Sequence, residues 1–206
     1  MTKALTNPLA AIVKAAAQSL PATSGATARE AERLARETNA LVILADVSLS
    51  KNERAGGRRR IDILTDALTH ILPDLPEAHR IVFSGAPRAL APTEALPEPH
   101  GGTAMHLAIE AAARHRPMKT VLITDGEPDD RQRTLTAATT LTGTMDVIYC
   151  GDDGNADAIG FLRTLAAQVG GRVVVHDLSR TSAKAGARLL ELSMRATLAL
   201  PAPADS

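Results

Sequence analysis

The sequence predicts an α/β protein built on a parallel β-sheet covered by helices on both faces. Three observations predict it. Five short runs, LVILA (41–45), RIVFS (80–84), TVLIT (120–124), DVIYC (146–150) and RVVVH (172–176), are apolar and β-branched, as strands buried on both faces are. Segments with helical periodicity separate them, the pattern of repeated strand–helix–strand units. Aromatic residues are nearly absent, with Phe83, Phe161 and Tyr149 the whole complement, so the core is made of Leu, Val, Ile and Ala, small enough for helices to lie close on a sheet.

The elements follow in order. After the first strand, RRRIDILTDALTHIL places Ile61, Leu64, Leu68, Ile71 and Leu72 at spacings of three and four, an apolar helix stripe that Pro73 closes. The second strand leads into GAPRALAPTEALPEPHGG (85–102), a long loop rich in proline and glycine that can hold one short edge strand around Arg88 to Leu90. Thr103 through Arg114 reads as a helix burying Met105, Leu107, Ala108, Ile109 and Ala112, ended by Pro117. Residues 130–142 form a weaker helix, because their threonines lower helix propensity. Ala156 to Val169 is a better one, stopped by Gly170, and the last helix spans about Ala183 to Leu200. Residues 1–38 are expected to form a helical extension of one or two helices. Residues 39–198 are expected to form the domain, and 199–206 a disordered Pro/Ala tail.

Bulk composition narrows the function classes. A chain of 206 residues is long enough for one well-buried domain and short for two. Its 23 basic and 23 acidic residues cancel, so no overall charge steers it to nucleic acid or anionic lipid, and the scarcity of aromatics argues against single-strand stacking platforms. The run Arg58, Arg59, Arg60 reads as a solvated edge. One cysteine, Cys150, excludes an internal disulfide and a cysteine-based zinc site and suits a reducing cytoplasm. In MTKALTNPLAAIVKAAAQSLPATS, Lys14 and Gln18 interrupt the apolar run and Lys3 is the only cationic residue before it, so it reads as an amphipathic or Ala-rich helix rather than a signal peptide. No apolar run approaches the roughly 20 residues that cross a bilayer, and a soluble cytoplasmic protein is expected.

Polar groups gather at the carboxyl ends of the strands, where open parallel sheets bind ligands. Asp46, Ser48 and Ser50 follow the first strand, Gly101, Gly102 and Thr103 lead into a helix, and Asp125 and Gly126 follow TVLIT. Singly, Ser48, Ser50 or Thr103 is a helix cap and Asp125-Gly126 a turn pair. Together they offer two carboxylates and three hydroxyls to a hard divalent ion. On an extended chain, side chains two residues apart are roughly 7 Å from one another, so the 46–50 segment must curl for its members to share one ion. Short serines, and glycines at 101 and 102, permit that close approach. A site with so few charges leaves its ion free to take another anionic oxygen, such as a partner's Asp or Glu carboxylate.

Enzyme motifs fit less well. A phosphatase of the haloacid dehalogenase type needs a second Asp two residues after the first, and here that residue is Ser48. Neither a nucleophile elbow nor a phosphate-binding loop motif is present. None of the six histidines has metal-ligand spacing, although His100 and His106 flank the second loop. Glu127, Asp129 and Asp130 read as a solvated turn and helix start.

The three-part set DVSLS, GGT and TDG, in this order at strand ends, resembles the metal-ion-dependent adhesion site of von Willebrand factor type A domains. The resemblance runs over about residues 40 to 195, including FSGAPRALAPTEALPEPHGGTAMHLAIEAA and FLRTLAAQVGGRVVV. It implies a doubly wound, Rossmann-like sheet of six strands, five parallel and one short antiparallel edge strand. It implies Mg²⁺, with Mn²⁺ or Ca²⁺ as alternatives, held directly by Ser48, Ser50 and Thr103, with Asp46 and Asp125 acting largely through bound water. It further implies a non-enzymatic module of the bacterial intracellular type that binds a protein partner's carboxylate, AAA+ ATPases being one class of partner. Two features depart from the pattern. Lys51 stands where a small or apolar residue is more usual, either favouring an acidic partner or lying exposed, and residues 1–38 fall outside the resemblance. A metal-dependent phosphohydrolase and a metal-independent scaffold remain the alternative readings.

Overall fold

The computed structural model describes residues 41–200. The helical extension expected over 1–38, and all but the first two residues of the tail expected over 199–206, lie outside the described residues. Eight strands and five α-helices follow: β1 (Leu41–Asp46), β2 (Arg54–Ala55), β3 (Arg58–Arg59), α1 (Arg60–Ile71), β4 (His79–Phe83), β5 (Pro87–Leu90), α2 (Met105–Ala113), β6 (Lys119–Thr124), α3 (Arg131–Ala138), β7 (Thr144–Tyr149), α4 (Ala156–Gln168), β8 (Val173–Val175) and α5 (Ala183–Thr197). Six strands form one sheet in the order β5-β4-β1-β6-β7-β8. All pair in parallel except β4 with β5, so the expected six-stranded, mostly parallel sheet with an antiparallel edge is present.

Strand alternation splits the core into two layers. Ile43 and Ala45 of β1, Val121 and Ile123 of β6 and Ile148 of β7 face α1 and α5, meeting Ile61, Ile63, Leu64, Leu68, Leu190 and Met194. Val42, Leu44, Leu122, Val147 and Tyr149 face the other way, onto Met105 and Ile109 of α2 and Phe161, Leu162 and Leu165 of α4. Full burial of each such aliphatic side chain stabilises by about 1.5–3 kcal/mol, and both layers are needed to hold the central strands.

Element ends differ from expectation for local reasons. α1 stops at Ile71, and Leu72 falls into a short 3₁₀ turn, Leu72–Asp74, carrying Pro73. α3 is eight residues long. Beyond its end the Thr139 and Thr140 hydroxyls donate to the carbonyls of Thr136 and Ala137, offering the backbone an alternative to another helical turn. Gly170 takes a φ of +70° just past α4, as a stop residue should. The β2–β3 hairpin was not expected. It turns through Gly56 and Gly57, both at positive φ, where only glycine is free of strain.

β1 lies between β4 and β6, and the chain passes from one side of β1 to the other on its way from β4 to β6. This reversal opens a crevice beyond the carboxyl end of β1, and the predicted polar groups lie there.

Candidate functional site

The segment after β1 curls as the hydroxyl spacing requires. Leu49–Asn52 forms one 3₁₀ turn, which brings the Ser48 and Ser50 hydroxyl oxygens to 3.1 Å. The Ser50 hydroxyl donates to Asp125 Oδ1 at 2.8 Å, joining the ends of β1 and β6. Asp46 is held from two sides: the Ser48 backbone N–H donates to Oδ1 at 2.9 Å and the Thr124 hydroxyl to Oδ2 at 2.6 Å. Asp46, Ser48 and Asp125 are buried, Ser50 is half-buried, and Leu49, Gly101 and Gly102 are exposed around them. Four of the five predicted residues therefore converge on one floor with an open rim.

Thr103, the fifth, lies on the loop beside this floor. The loop is tied in by Leu49 N–H to Gly101 O at 3.3 Å and His100 N–H to Val47 O at 3.0 Å. The Thr103 backbone N–H donates to both oxygens of Asp129, at 3.0 and 2.9 Å, and none of the hydrogen bonds linking the other four reaches its hydroxyl. It does not cap α2, whose N-cap is Ala104 with no side-chain hydrogen bond. Gly102 leaves the room Asp129 needs, since a β-carbon there would sit 2.7 Å from Asp129 Oδ2. Asp129 was read as part of a solvated turn. It is exposed, yet it anchors this loop, a role that side-chain type alone does not signal.

The largest correction concerns Lys51. Among the described residues it is one of the largest fully buried side chains, whereas its place after the serine run predicts a side chain that is exposed or favours an acidic partner. Its ammonium lies 2.8 Å from Asp125 Oδ1 with neither side chain reaching solvent, and 3.6 Å from Cys150 Sγ. Arg60 approaches Asp125 from the other side, Nη1 to Oδ2 at 3.1 Å, and also meets Glu53 at 2.8 Å. The arginine run is thus not a uniform solvated edge: Arg58 pairs with Asp66 and Arg59 with Asp62 and Glu98, while Arg60 turns inward. A lysine directly after the Asp46–Ser50 run is the signal the sequence carries.

These charges shape the ionisation of the floor. Burial pushes the Asp46 carboxyl up, and the Asp125 charge adds to this against the opposing Lys51 ammonium. For Asp125 burial acts upward too, but Lys51, Ser50 and Arg60 outweigh it and hold its carboxyl below the usual range. Lys51 keeps its proton because its acidic neighbours overcome its burial, and burial raises the Cys150 thiol to about 11, leaving it an inert neighbour.

The flanking histidines stay out of the cluster. His100 places Nε2 3.1 Å from the Ser84 hydroxyl and Nδ1 2.9 Å from Glu98 O, and His106 lines a shallow groove between α2 and α3. Among the described residues no helix is long and apolar enough to cross a membrane.

As a donor set, Asp46, Ser48, Ser50 and Asp125 offer only hard oxygen atoms, the ligand type that Mg²⁺, Mn²⁺ and Ca²⁺ prefer. Each Asp46 oxygen accepts one hydrogen bond from the protein, which orients the carboxylate and leaves a further lone pair for a ligand. The residues fit a divalent ion in donor chemistry, with Asp125 committed to Lys51 and Arg60.

No protein-family model matches the sequence, and no curated protein matches it. The fold does match solved structures. The von Willebrand factor type A domain of SpRpn10 superposes with a TM-score of 0.56 at 14% identity, over 74% of this chain and 95% of that one. Manganese-loaded TRAP protein of Plasmodium vivax gives 0.52 at 18%, over 76% and 74%. The open conformation of the pilus adhesin SpaC of Lactobacillus rhamnosus GG gives 0.54 at 13%, over 78% of this chain and only 30% of the adhesin. The fold of this chain is that of von Willebrand factor type A domains.

Proposed function

We propose that this chain is a protein-interaction module that takes up a divalent ion at Asp46, Ser48, Ser50, Thr103 and Asp125 and captures a partner's Asp or Glu carboxylate there. Mg²⁺ is the leading ion, with Mn²⁺ or Ca²⁺ as alternatives. The observation that carries this reading is the convergence of Asp46, Ser48, Ser50 and Asp125 on one floor beneath an open rim. When bound, the ion supplies a positive centre that a carboxylate can join. The chain's own residues orient and select: Thr124 and the Ser48 N–H fix Asp46, and Gly102 admits Asp129, which holds the Thr103 loop beside the floor. Leu49, 60% exposed between the two serines, gives the partner an apolar contact beside the charged one.

We read the site as binding rather than catalytic, because Ser48 stands where a dehalogenase-type phosphatase places its second carboxylate, and Asp46 is pinned by hydrogen bonds on both oxygens. A cytoplasmic setting, with an AAA+ ATPase as one class of partner, belongs to the same proposal and rests on the motif resemblance and the lone thiol of Cys150. Affinity capture with the full chain tests it: partners should be retained in Mg²⁺ and lost both in EDTA and with Asp46→Ala. Partners that survive chelation and the substitution overturn the reading.

A further inference from the structure

Lys51 presents a charge that the proposed function does not use. Its ammonium is sealed from solvent, so it cannot reach a partner. With Arg60 on the opposite oxygen of Asp125, that one carboxylate holds two fixed cations, which match in number the two carboxylates of the floor. A hydrophobic residue would fill the same space over the ends of β6 and β7 without the desolvation that a buried ammonium incurs.

For a dication, such a floor offers Asp46 beside an Asp125 already neutralised by its two cations, next to a buried ammonium that solvent does not screen. The dication's charge is left partly uncompensated until another anion arrives. We propose that Lys51 is a built-in countercharge that weakens the site for a divalent ion alone and couples metal uptake to arrival of a carboxylate, so that ion and acidic partner bind as a pair. The inference rests on the metal-site reading above and adds to it the residue that sets the coupling. By linkage, a carboxylate that tightens the ion is tightened by the ion to the same degree. Arg60 acts in the same direction but more weakly, because Glu53 shares its charge and its side chain is 12% exposed.

The test is calorimetric titration of the full chain with Mn²⁺, alone and with acetate, for wild type, Lys51→Met, Lys51→Gln and Asp46→Ala. Two neutral replacements of different polarity guard against one failing to fold, which circular dichroism checks. Both neutral variants should bind Mn²⁺ alone roughly tenfold or more tightly than wild type, a ratio within the usual range of coupling, and acetate should strengthen Mn²⁺ binding more in wild type than in either variant. Without metal they should melt below wild type, and Mn²⁺ should raise their melting temperature by more. Equal or weaker Mn²⁺ binding in the folded neutral variants overturns the inference while leaving the metal site standing, provided Asp46→Ala abolishes binding. If no variant and no wild-type protein binds Mn²⁺, both the inference and the metal-site reading fall.

Discussion

Lys51 and Asp125 form an ion pair of 2.8 Å with both side chains fully buried, at the point where β1 and β6 end side by side. Breaking such a pair from one side leaves a charge without a partner in a dry environment, which costs about 3–5 kcal/mol. Asp125→Ala should lower unfolding free energy in urea by that amount, because it strands Lys51 and frees Arg60 at once. Adding Lys51→Met should restore a large part of the loss. Additive losses in the double variant would contradict the pairing.

The Thr124 hydroxyl donates to Asp46 at 2.6 Å, and a hydrogen bond to a charged group is worth about 1.5–3 kcal/mol. Thr124→Val keeps the shape of β6 and removes the hydroxyl, which also accepts from the Gly126 N–H at 3.3 Å. It should cost stability in that range and weaken divalent-ion binding, since Asp46 loses the contact that aims it. A variant as stable as wild type, with unchanged ion affinity, would show that the bond positions nothing.

Gly56 and Gly57 turn the β2–β3 hairpin, and they predict different costs. Both have positive φ, so alanine is strained at either, by about 1 kcal/mol. At Gly56 a β-carbon would also lie 2.1 Å from Thr181 O, while at Gly57 nothing stands within 4 Å. Thermal melts should therefore show Gly56→Ala destabilised clearly more than Gly57→Ala. Equal shifts would mean that the hairpin is not seated against the start of α5.

Glu191 predicts an acid-limb effect on α5. Burial acts to raise its carboxyl, but Arg195 at 3.0 Å and Arg188 at 3.1 Å outweigh it and hold it below the usual range. Arg195 in turn reaches Asp74 at 2.7 Å, tying α5 to the turn after α1. A depressed folded-state value stabilises fully above the unfolded value of about 4.3 and is lost as pH falls through the folded one. The stability gap between wild type and Glu191→Gln should be constant from neutral pH to about 5 and shrink below about 4. A gap as large at pH 3 as at neutral pH would contradict this.

Much of the fold was legible because the five apolar runs have no other stable home than a sheet covered on both faces, and the stripe of Ile61, Leu64 and Leu68 needs a helix. The β2–β3 hairpin was not legible: two residues per strand carry no periodicity, and its seat against Thr181 is a long-range contact. The site was legible in its oxygen donors, since Asp46, Ser48 and Ser50 fall at one spacing just past a strand. Its cations were not. Lysine and arginine are most often exposed, and the burial of Lys51 follows from the 3₁₀ turn that draws Ser48 toward Ser50 and sends residue 51 inward.

Diffraction from a Mn²⁺-soaked crystal of the full chain, read as anomalous density, tests the central claim most directly. The account predicts one peak at the carboxyl ends of β1 and β6, bounded by Asp46, Ser48 and Ser50 and absent in Asp46→Ala. No peak there, or a peak only at the surface cluster of Asp152, Asp153 and Asp177, would contradict it.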